Sequence, residues 1–369
     1  MQKFTSDFLQ CSPNVVVTQI KWTQIIKHYF ATFQWVTGRW VVPEQAALLG
    51  SVLKTLCSAR ILRAQSARQH GTQLKLLLTL EGGHRAVFKP QWYSREQVIE
   101  GPVYAGKDRH NAEVAAFHLG LLLGLRRSPL VVGRRVSLRR EIMPVADREL
   151  LDTFYQEGNN TCLYGVCHYC GPHDPVCATR DLLEGALVLW LPPRVKLKKV
   201  RHPWQRTYRE AMPARWEGEV RYCERVRASK FYGGSQAGMS RLLDLIDASV
   251  LDFLIDNGDR HHYELLGNST RAAVLLLDNG KSFGNPKVDH IDILAPLYQC
   301  CMLRRSTWER LLLFTGGALS RASELTLGGS HVTPVLSQAH LAALDRRLKL
   351  VLAAVYACSN ANDVTSVLV

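Results

Sequence analysis

The spacing of apolar and polar positions changes several times along the chain, and each change predicts an element. Apolar residues recur at helical spacing from about residue 20 to residue 62, interrupted by Pro43 in "RWVVPEQ". "TQLKLLLTL" and "RAVFKP" read as strands joined by the turn "EGGH", with Pro90 ending the second. After the polar, glycine-containing stretch "QWYSREQVIEGPVYAGKD", a helix is predicted from about His110 through "NAEVAAFHLGLLLGL". Strands follow in "PLVVGRRVSL" and "GALVLWLP", separated by a polar segment rich in cysteine. From about Pro192 the period is mostly helical. "RLLDLIDASVLDFLIDN" is amphipathic, "AAVLLL" is a short buried strand ending at Asp278, and "STWERLLLFTGGALSRASEL" and "SQAHLAALDRRLKLVLAAVYAC" are helical. The closing "SNANDVTSVLV" reads as a loose tail.

This order predicts an α+β chain of two lobes. Residues 1–65 form a helical segment packing on the core, and 66–191 a strand-rich lobe with one inserted helix and the cysteine-rich insertion. Residues 192–358 form a helical lobe, and 359–369 the tail. A length of 369 residues is enough for one large core or two lobes.

Charge and cysteine change this picture. The formal charge of +14 suits an acidic partner such as nucleic acid, a membrane surface, a nucleotide or an anionic sugar. The basic runs "RRSPLVVGRRVSLRR" and "RVKLKKVRHPWQRTYRE" have neither the helical basic-region pattern nor the aromatic stacking signature of a nucleic-acid module, so no nucleic-acid partner is expected. Of ten cysteines, Cys162, Cys167, Cys170 and Cys177 crowd one segment, Cys223, Cys300, Cys301 and Cys358 lie further on, and Cys11 and Cys57 stand alone. A zinc site wants two close ligand pairs, and only Cys167 and Cys170 make one. Eight disulfide-bonded cysteines are the favoured reading, with zinc the alternative. Glycosylation sequons at Asn159 and Asn268 point the same way, to an oxidising secretory compartment. The first two dozen residues contain no apolar run of signal-peptide or membrane-helix length, so this reading expects a leader outside the given chain.

Candidate chemistry concentrates in "DFLIDNGDRHHYELLGNSTRAAVLLLDNGKSFG". A metal-hydrolase reading would recruit Asp259, His261, His262 and Glu264. Adjacent histidines, however, point to opposite sides of a regular element, and the one-turn spacing of zinc proteases is absent. Phosphoryl transfer uses more of the chain. It needs a lysine on the phosphates, carboxylates on metal and a base at the acceptor hydroxyl. Asp259 follows a helix, Asp278 follows a strand 19 residues later, and "DNG" stands where kinases carry Asp-Phe-Gly. Glu264, five residues after Asp259, takes the place of the usual metal-binding Asn. Lys89 ends a strand as the phosphate lysine should, and Glu113 on the following helix is positioned to pair with it. No glycine-rich loop precedes Lys89, though Lys75 adds a second positive charge.

"FKPQWYSREQVIEGPVYAGKDRHNAEVAAFHL", "GNNTCLYGVCHYC", "DRHHYE", "LLLDNGKSFGNP", "ILAPLYQCC" and "PVLSQAHLAALDRRL" resemble the atypical secretory-pathway kinases. That family includes the Golgi casein kinase and the glycosaminoglycan xylosylkinase. The resemblance runs from about Gly71 to Cys358, and "WYSREQVIEGPVYAGKDRHNAE", "EGALVLWLP" and "NGKSFGNP" are similar to the xylosylkinase branch. It implies an atypical two-lobed kinase fold that transfers the γ-phosphate of ATP, with Mn2+ (or Mg2+), to the 2-hydroxyl of xylose in the proteoglycan linkage region of the Golgi. By motif, Asp259 resembles the catalytic Asp, Asp278 a metal ligand and Asp108 a second acidic metal ligand, with Glu264 a further candidate. Lys75, Lys89 and Glu113 match the nucleotide-lobe positions, and the adenine hinge falls at Leu189, Trp190 and Leu191. The implied bridges are Cys162–Cys177, Cys167–Cys170, Cys223–Cys300 and Cys301–Cys358. "FHLGLLLGLRR" departs from the family by lacking an Asp-Arg. A family pseudokinase replaces the acid before "RHNAE" by glutamine, whereas Asp108 keeps it, which implies an active enzyme. The alternatives are a secreted protein serine kinase and a nucleotide-binding pseudokinase that activates a partner.

Overall fold

A computed structural model of the chain describes residues 32–67, 72–209 and 211–369. In chain order these form α1 (Leu49–Ser58), β1 (Ile61–Ser66), β2 (Leu76–Leu80), β3 (Arg85–Pro90), α2 (His110–Leu122), β4 (Val131–Ser137), β5 (Phe154–Glu157), β6 (Asn160–Tyr164), β7 (Pro175–Cys177), β8 (Leu182–Leu189) and β9 (Leu197–Arg201). The second part holds α3 (Tyr222–Ala228), α4 (Gln236–Ile255), β10 (His262–Leu266), β11 (Val274–Leu275), α5 (Ala295–Cys300), α6 (Arg305–Leu312), α7 (Ala318–Gly328), α8 (Gln338–Ala361) and α9 (Val364–Val367).

Five antiparallel strands in the order β1-β2-β3-β8-β4 make the first lobe. The central pairing of β3 with β8 requires Gly185: a Cβ there would lie 2.4 Å from Phe88 Cζ and 2.6 Å from the Lys89 carbonyl oxygen. Glycine thus lets β8 close against the strand that carries Lys89. α2 is buried along almost its whole length, which explains its unbroken "AEVAAFHLGLL" composition. It packs on β4 and β8 in one lobe and on α4 and α7 in the other.

In the second lobe, α4 is capped by Ser235, whose side chain accepts from the Gly238 amide, and ends at Asp256 in the left-handed region. Its aspartates lie on what reads as the polar side of an amphipathic helix, yet they are buried. Asp244 binds Arg39, Arg127 and Arg304, Asp247 binds Arg304 and Thr307, and Asp252 binds Arg260.

Several expectations need correction. β1 begins before the expected lobe boundary at residue 66 and is the edge of the sheet. Among the described residues of this stretch, helix is confined to residues 32–35 and to Leu49–Ser58, while Val41 and Val42 reach inward from irregular chain. The basic run after Pro192 contains β9, which pairs with β10, so "HYELL" is strand rather than loop. "STWERLLLFTGGALSRASEL" is two helices, broken at Gly316 and Gly317 with φ of 64° and 78°. The tail is docked: α8 runs on to Ala361, Val367 is buried, the Leu303 amide donates to the Val367 carbonyl at 2.8 Å, and the Val369 amide donates to the Leu303 carbonyl at 3.0 Å.

The bridges are Cys162–Cys177, Cys167–Cys170, Cys223–Cys300 and Cys301–Cys358. Cys57 is disulfide-bonded as well, so the expected eight is too few, and no described cysteine is free. Cys11 and residues 1–31 of the expected helical segment lie outside the described residues. Asn159 and Asn268 are both exposed, in the turns after β5 and β10. Among the described residues no helix is long and apolar enough to cross a membrane.

Candidate active site

Lys89, at the inner end of β3, is only 7% exposed, and its ammonium meets three carboxylates. Glu113 Oε1 lies at 2.5 Å, Asp278 Oδ1 at 2.6 Å and Asp108 Oδ2 at 3.1 Å. Burial works against the charge on Lys89, but Asp108, Asp278 and Glu113 outweigh it and raise its pKa well above the ordinary lysine value. The field of Lys89 in turn holds Asp278 far below the usual carboxylate range, with Lys75 adding to the effect. Three carboxylates thus converge on one ammonium, with Lys75, Arg260 and Lys281 contributing positive charge around them.

Each partner is fixed by its own local structure. Glu113 sits in the first turn of α2 and also accepts the Asn279 amide at 3.1 Å. Asp278 follows β11 and adopts φ of 60°, a left-handed conformation that Asp tolerates better than most side chains. Its side chain stays 69% exposed to the open cleft. Asp108 precedes α2, and its amide donates to Gln73 Oε1 at 2.7 Å. Arg109 then ties α2 to the Asp278 loop: its amide donates to the Gly280 carbonyl at 2.7 Å and its Nε to the Ser282 carbonyl at 2.5 Å.

Asp259 stands on the loop between α4 and β10. Arg260 beside it is buried and braces that loop, reaching Asp252 at 2.5 and 2.7 Å, Asn279 Oδ1 at 2.8 Å and the Leu277 carbonyl at 2.9 Å. Gly258 lets residues 92–107 close over the loop, because a Cβ there would lie 2.0 Å from Val103 Cγ1. Asp259 lines a cavity of about 550 Å³ whose walls include Trp92, Tyr104, Tyr169, Tyr208 and Lys281. Tyr169, Cys170 and Asp174 bring the cysteine-rich insertion to its rim. Aromatic faces with a few polar groups suit a small ring-shaped polar ligand. A larger cavity of about 700 Å³ lies elsewhere, between residues 39–44, the loop after α2 and α6, and contains none of the candidate residues.

Other candidates do not touch Lys89. Glu264 on β10 faces Leu275 and Lys199 across the sheet. Burial raises its pKa, and the charge of Asp278 reaches it and adds to the rise. Of the hinge residues, Leu189 and Trp190 spend their amides on the Leu130 and Arg85 carbonyls at 2.9 Å, and the Arg85 guanidinium lies 3.8 Å from the Trp190 ring centroid. Leu191 follows, half-buried. His261 borders the cavity at Asp259, whereas His262 does not line it. Arg260, Tyr208 and Lys281 escape sequence reading. Arg260 is signalled only by its place after Asp259, and Tyr208 arrives from 51 residues away.

A carboxylate at an aromatic cavity, beside a buried lysine that meets three further carboxylates, supplies the groups that phosphoryl transfer needs. Residues 27–367 match the family described as Golgi casein kinase, C-terminal, Fam20. The chain belongs to the Fam20 kinase family. It is 52% identical over 337 residues to the glycosaminoglycan xylosylkinase of Homo sapiens, covering 91% of this chain and 81% of that one. Among solved Fam20 structures, that of hydra Fam20 with sugar superposes with a TM-score of 0.87 at 43% identity, covering 93% of this chain and 98% of the other. The Golgi casein kinase with Mn/ADP bound superposes at 0.86 with 29% identity, covering 96% and 90%. The Fam20 fold thus accounts for the strand-rich first lobe, the helical second lobe and the disulfides together.

Proposed function

We propose that this chain is a Golgi kinase that transfers the γ-phosphate of ATP to the 2-hydroxyl of xylose in the glycosaminoglycan–protein linkage region. The observation that carries this reading is the convergence of Asp108, Glu113 and Asp278 on Lys89 next to an aromatic cavity bordered by Asp259. The identity to a xylosylkinase supports the choice of acceptor. Four disulfides between described cysteines suit an oxidising lumen.

The donor set fits a hard divalent cation. Asp108 and Asp278 present carboxylate oxygens to one point, and oxygen ligands suit Mn2+. A solved relative carries Mn/ADP. When bound, the metal would supply charge neutralisation on the transferring phosphate. Lys89 holds the nucleotide phosphates, with Glu113 setting the height of its ammonium in the cleft, and Lys75 adds positive charge. Leu189, Trp190 and Leu191 flank the adenine. Asp259 orients the acceptor hydroxyl and accepts its proton as the oxygen–phosphorus bond forms. The electron pair of the breaking bond leaves with ADP. Catalysis is positioning plus electrostatic stabilisation in a site set before substrate arrives.

The test is phosphate transfer from labelled ATP with Mn2+ to a galactosyl-xyloside and, separately, to casein. Label on the xyloside alone is expected. Label on casein alone would make the chain a protein kinase, and nucleotide binding without transfer to either would make it a pseudokinase.

A further inference from the structure

Tyr208 stands where an acceptor must arrive. Its phenol donates to Asp259 Oδ1, and its oxygen lies 3.1 Å from His261 Nδ1. The same ring nitrogen lies 2.8 Å from the Asp259 carbonyl. One arrangement satisfies all three atoms: His261 Nδ1–H donates to the Asp259 carbonyl and the Tyr208 oxygen, and the Tyr208 hydroxyl donates to the carboxylate. Tyr104 packs edge-on against the Tyr208 ring, with centroids 4.7 Å apart. Tyr208 is 46% exposed, on irregular chain between β9 and α3, and its ring also packs edge-on against His261. Burial and the neighbouring carboxylate raise its pKa, so the phenol remains a donor.

A carboxylate that serves as base has to accept a hydroxyl proton, and here one of its oxygens already accepts one. We propose that Tyr208 is a positioning residue that occupies the acceptor-hydroxyl site of Asp259, excluding water until a sugar hydroxyl displaces it. The inference rests on the kinase reading of the site. Without Tyr208, water takes the vacant position. Its oxygen bonds to the γ-phosphorus, its proton passes to Asp259, and the bond to the bridging oxygen breaks, with its electron pair leaving on ADP. The products are ADP and inorganic phosphate. Tyr208 therefore makes the enzyme prefer a sugar over water, a choice that the size of the cavity does not make.

The experiment compares the full chain with Tyr208→Phe, which keeps the ring and its contact with Tyr104 and removes only the hydroxyl. ATP hydrolysis with Mn2+ and no acceptor is expected to rise about tenfold, the weight of one hydrogen bond to a charged group. The ratio of transfer to a galactosyl-xyloside over hydrolysis should fall. Adding Asp259→Asn to Tyr208→Phe should abolish the gain. Unchanged hydrolysis, or hydrolysis and transfer falling together, overturns the proposal, because a purely structural tyrosine would lower both. A wild-type enzyme that hydrolyses ATP but ignores the xyloside would count against the acceptor assigned above. The hydrolysis of Tyr208→Phe would still decide the role of Tyr208.

Discussion

Lys89 is buried and meets three carboxylates, and its surroundings separate two tasks that sit close together in the cleft. Asp278 belongs to the charge cluster, while Asp259 opens onto the acceptor cavity and does not touch Lys89. Substitution should split them. Asp259→Asn is expected to cut turnover by roughly 10² to 10⁴ while leaving Mn-dependent ADP affinity intact. Asp278→Asn should lose that affinity as well, which calorimetric titration of ADP with and without Mn2+ would measure. Full activity in Asp278→Asn would remove Asp278 from the metal set. Much of this site was legible before folding, since Lys89, Glu113, Asp259 and Asp278 each sit at an element end marked by a change of period. Tyr208 and Lys281 were not. They reach the cavity because distant segments meet, and a tyrosine in a basic loop carries no local signal of the carboxylate it touches.

Among elements, α4 departs furthest from expectation. Its apolar stripe is legible from periodicity, but the stripe does not say that its aspartates meet arginines from other segments. Asp247 is nearly fully buried between Arg127 and Arg304. Removing one member of such a cluster strands the others, so Asp247→Ala should cost about 3–5 kcal/mol in chemical denaturation. The exposed pair Arg148–Asp152 is the control, and Asp152→Ala there should cost less than about 1 kcal/mol. Equal effects at the two sites would contradict the burial argument. β9 was hidden for a related reason. It is an edge strand, and edge strands carry lysines that discourage further pairing, so "LKKVR" reads as a charge run.

For the molecule as a whole, the residues before α1 do more than precede the fold. The Gly38 carbonyl accepts from Ala273 in the second lobe, and the Val41 amide donates to the Arg126 carbonyl in the loop after α2. The Arg194 guanidinium, just past the hinge, donates to the Val36 carbonyl at 3.0 Å. The same interior imposes a pH limit. Burial lowers His118 and His202 to about 3 and His340 to about 4. Unfolded chains protonate these rings near 6.5, so the folded form binds fewer protons in between. Their stabilising contribution is complete above about 6.5 and is lost as pH falls towards the folded values, at roughly 1.4 kcal/mol per pH unit for each ring. Thermal unfolding between pH 7.5 and 4.5 should show the midpoint falling steadily below 6.5. A midpoint that stays level to 4.5 would mean that these rings are not held neutral.

Adjacent cysteines at the end of α5 leave in different directions, Cys300 to α3 and Cys301 to α8. This divergence has a temporal meaning for a chain made from its amino terminus. Cys223 and Cys300 are both available as soon as α5 emerges, whereas the partner of Cys301 is 57 residues further on. Cys301 therefore waits as a thiol beside its already eligible neighbour, and the bridge that fastens α8 is the last of the described four able to close. The neighbouring pair thus orders the oxidation of the second lobe, joining its early helices before its final one.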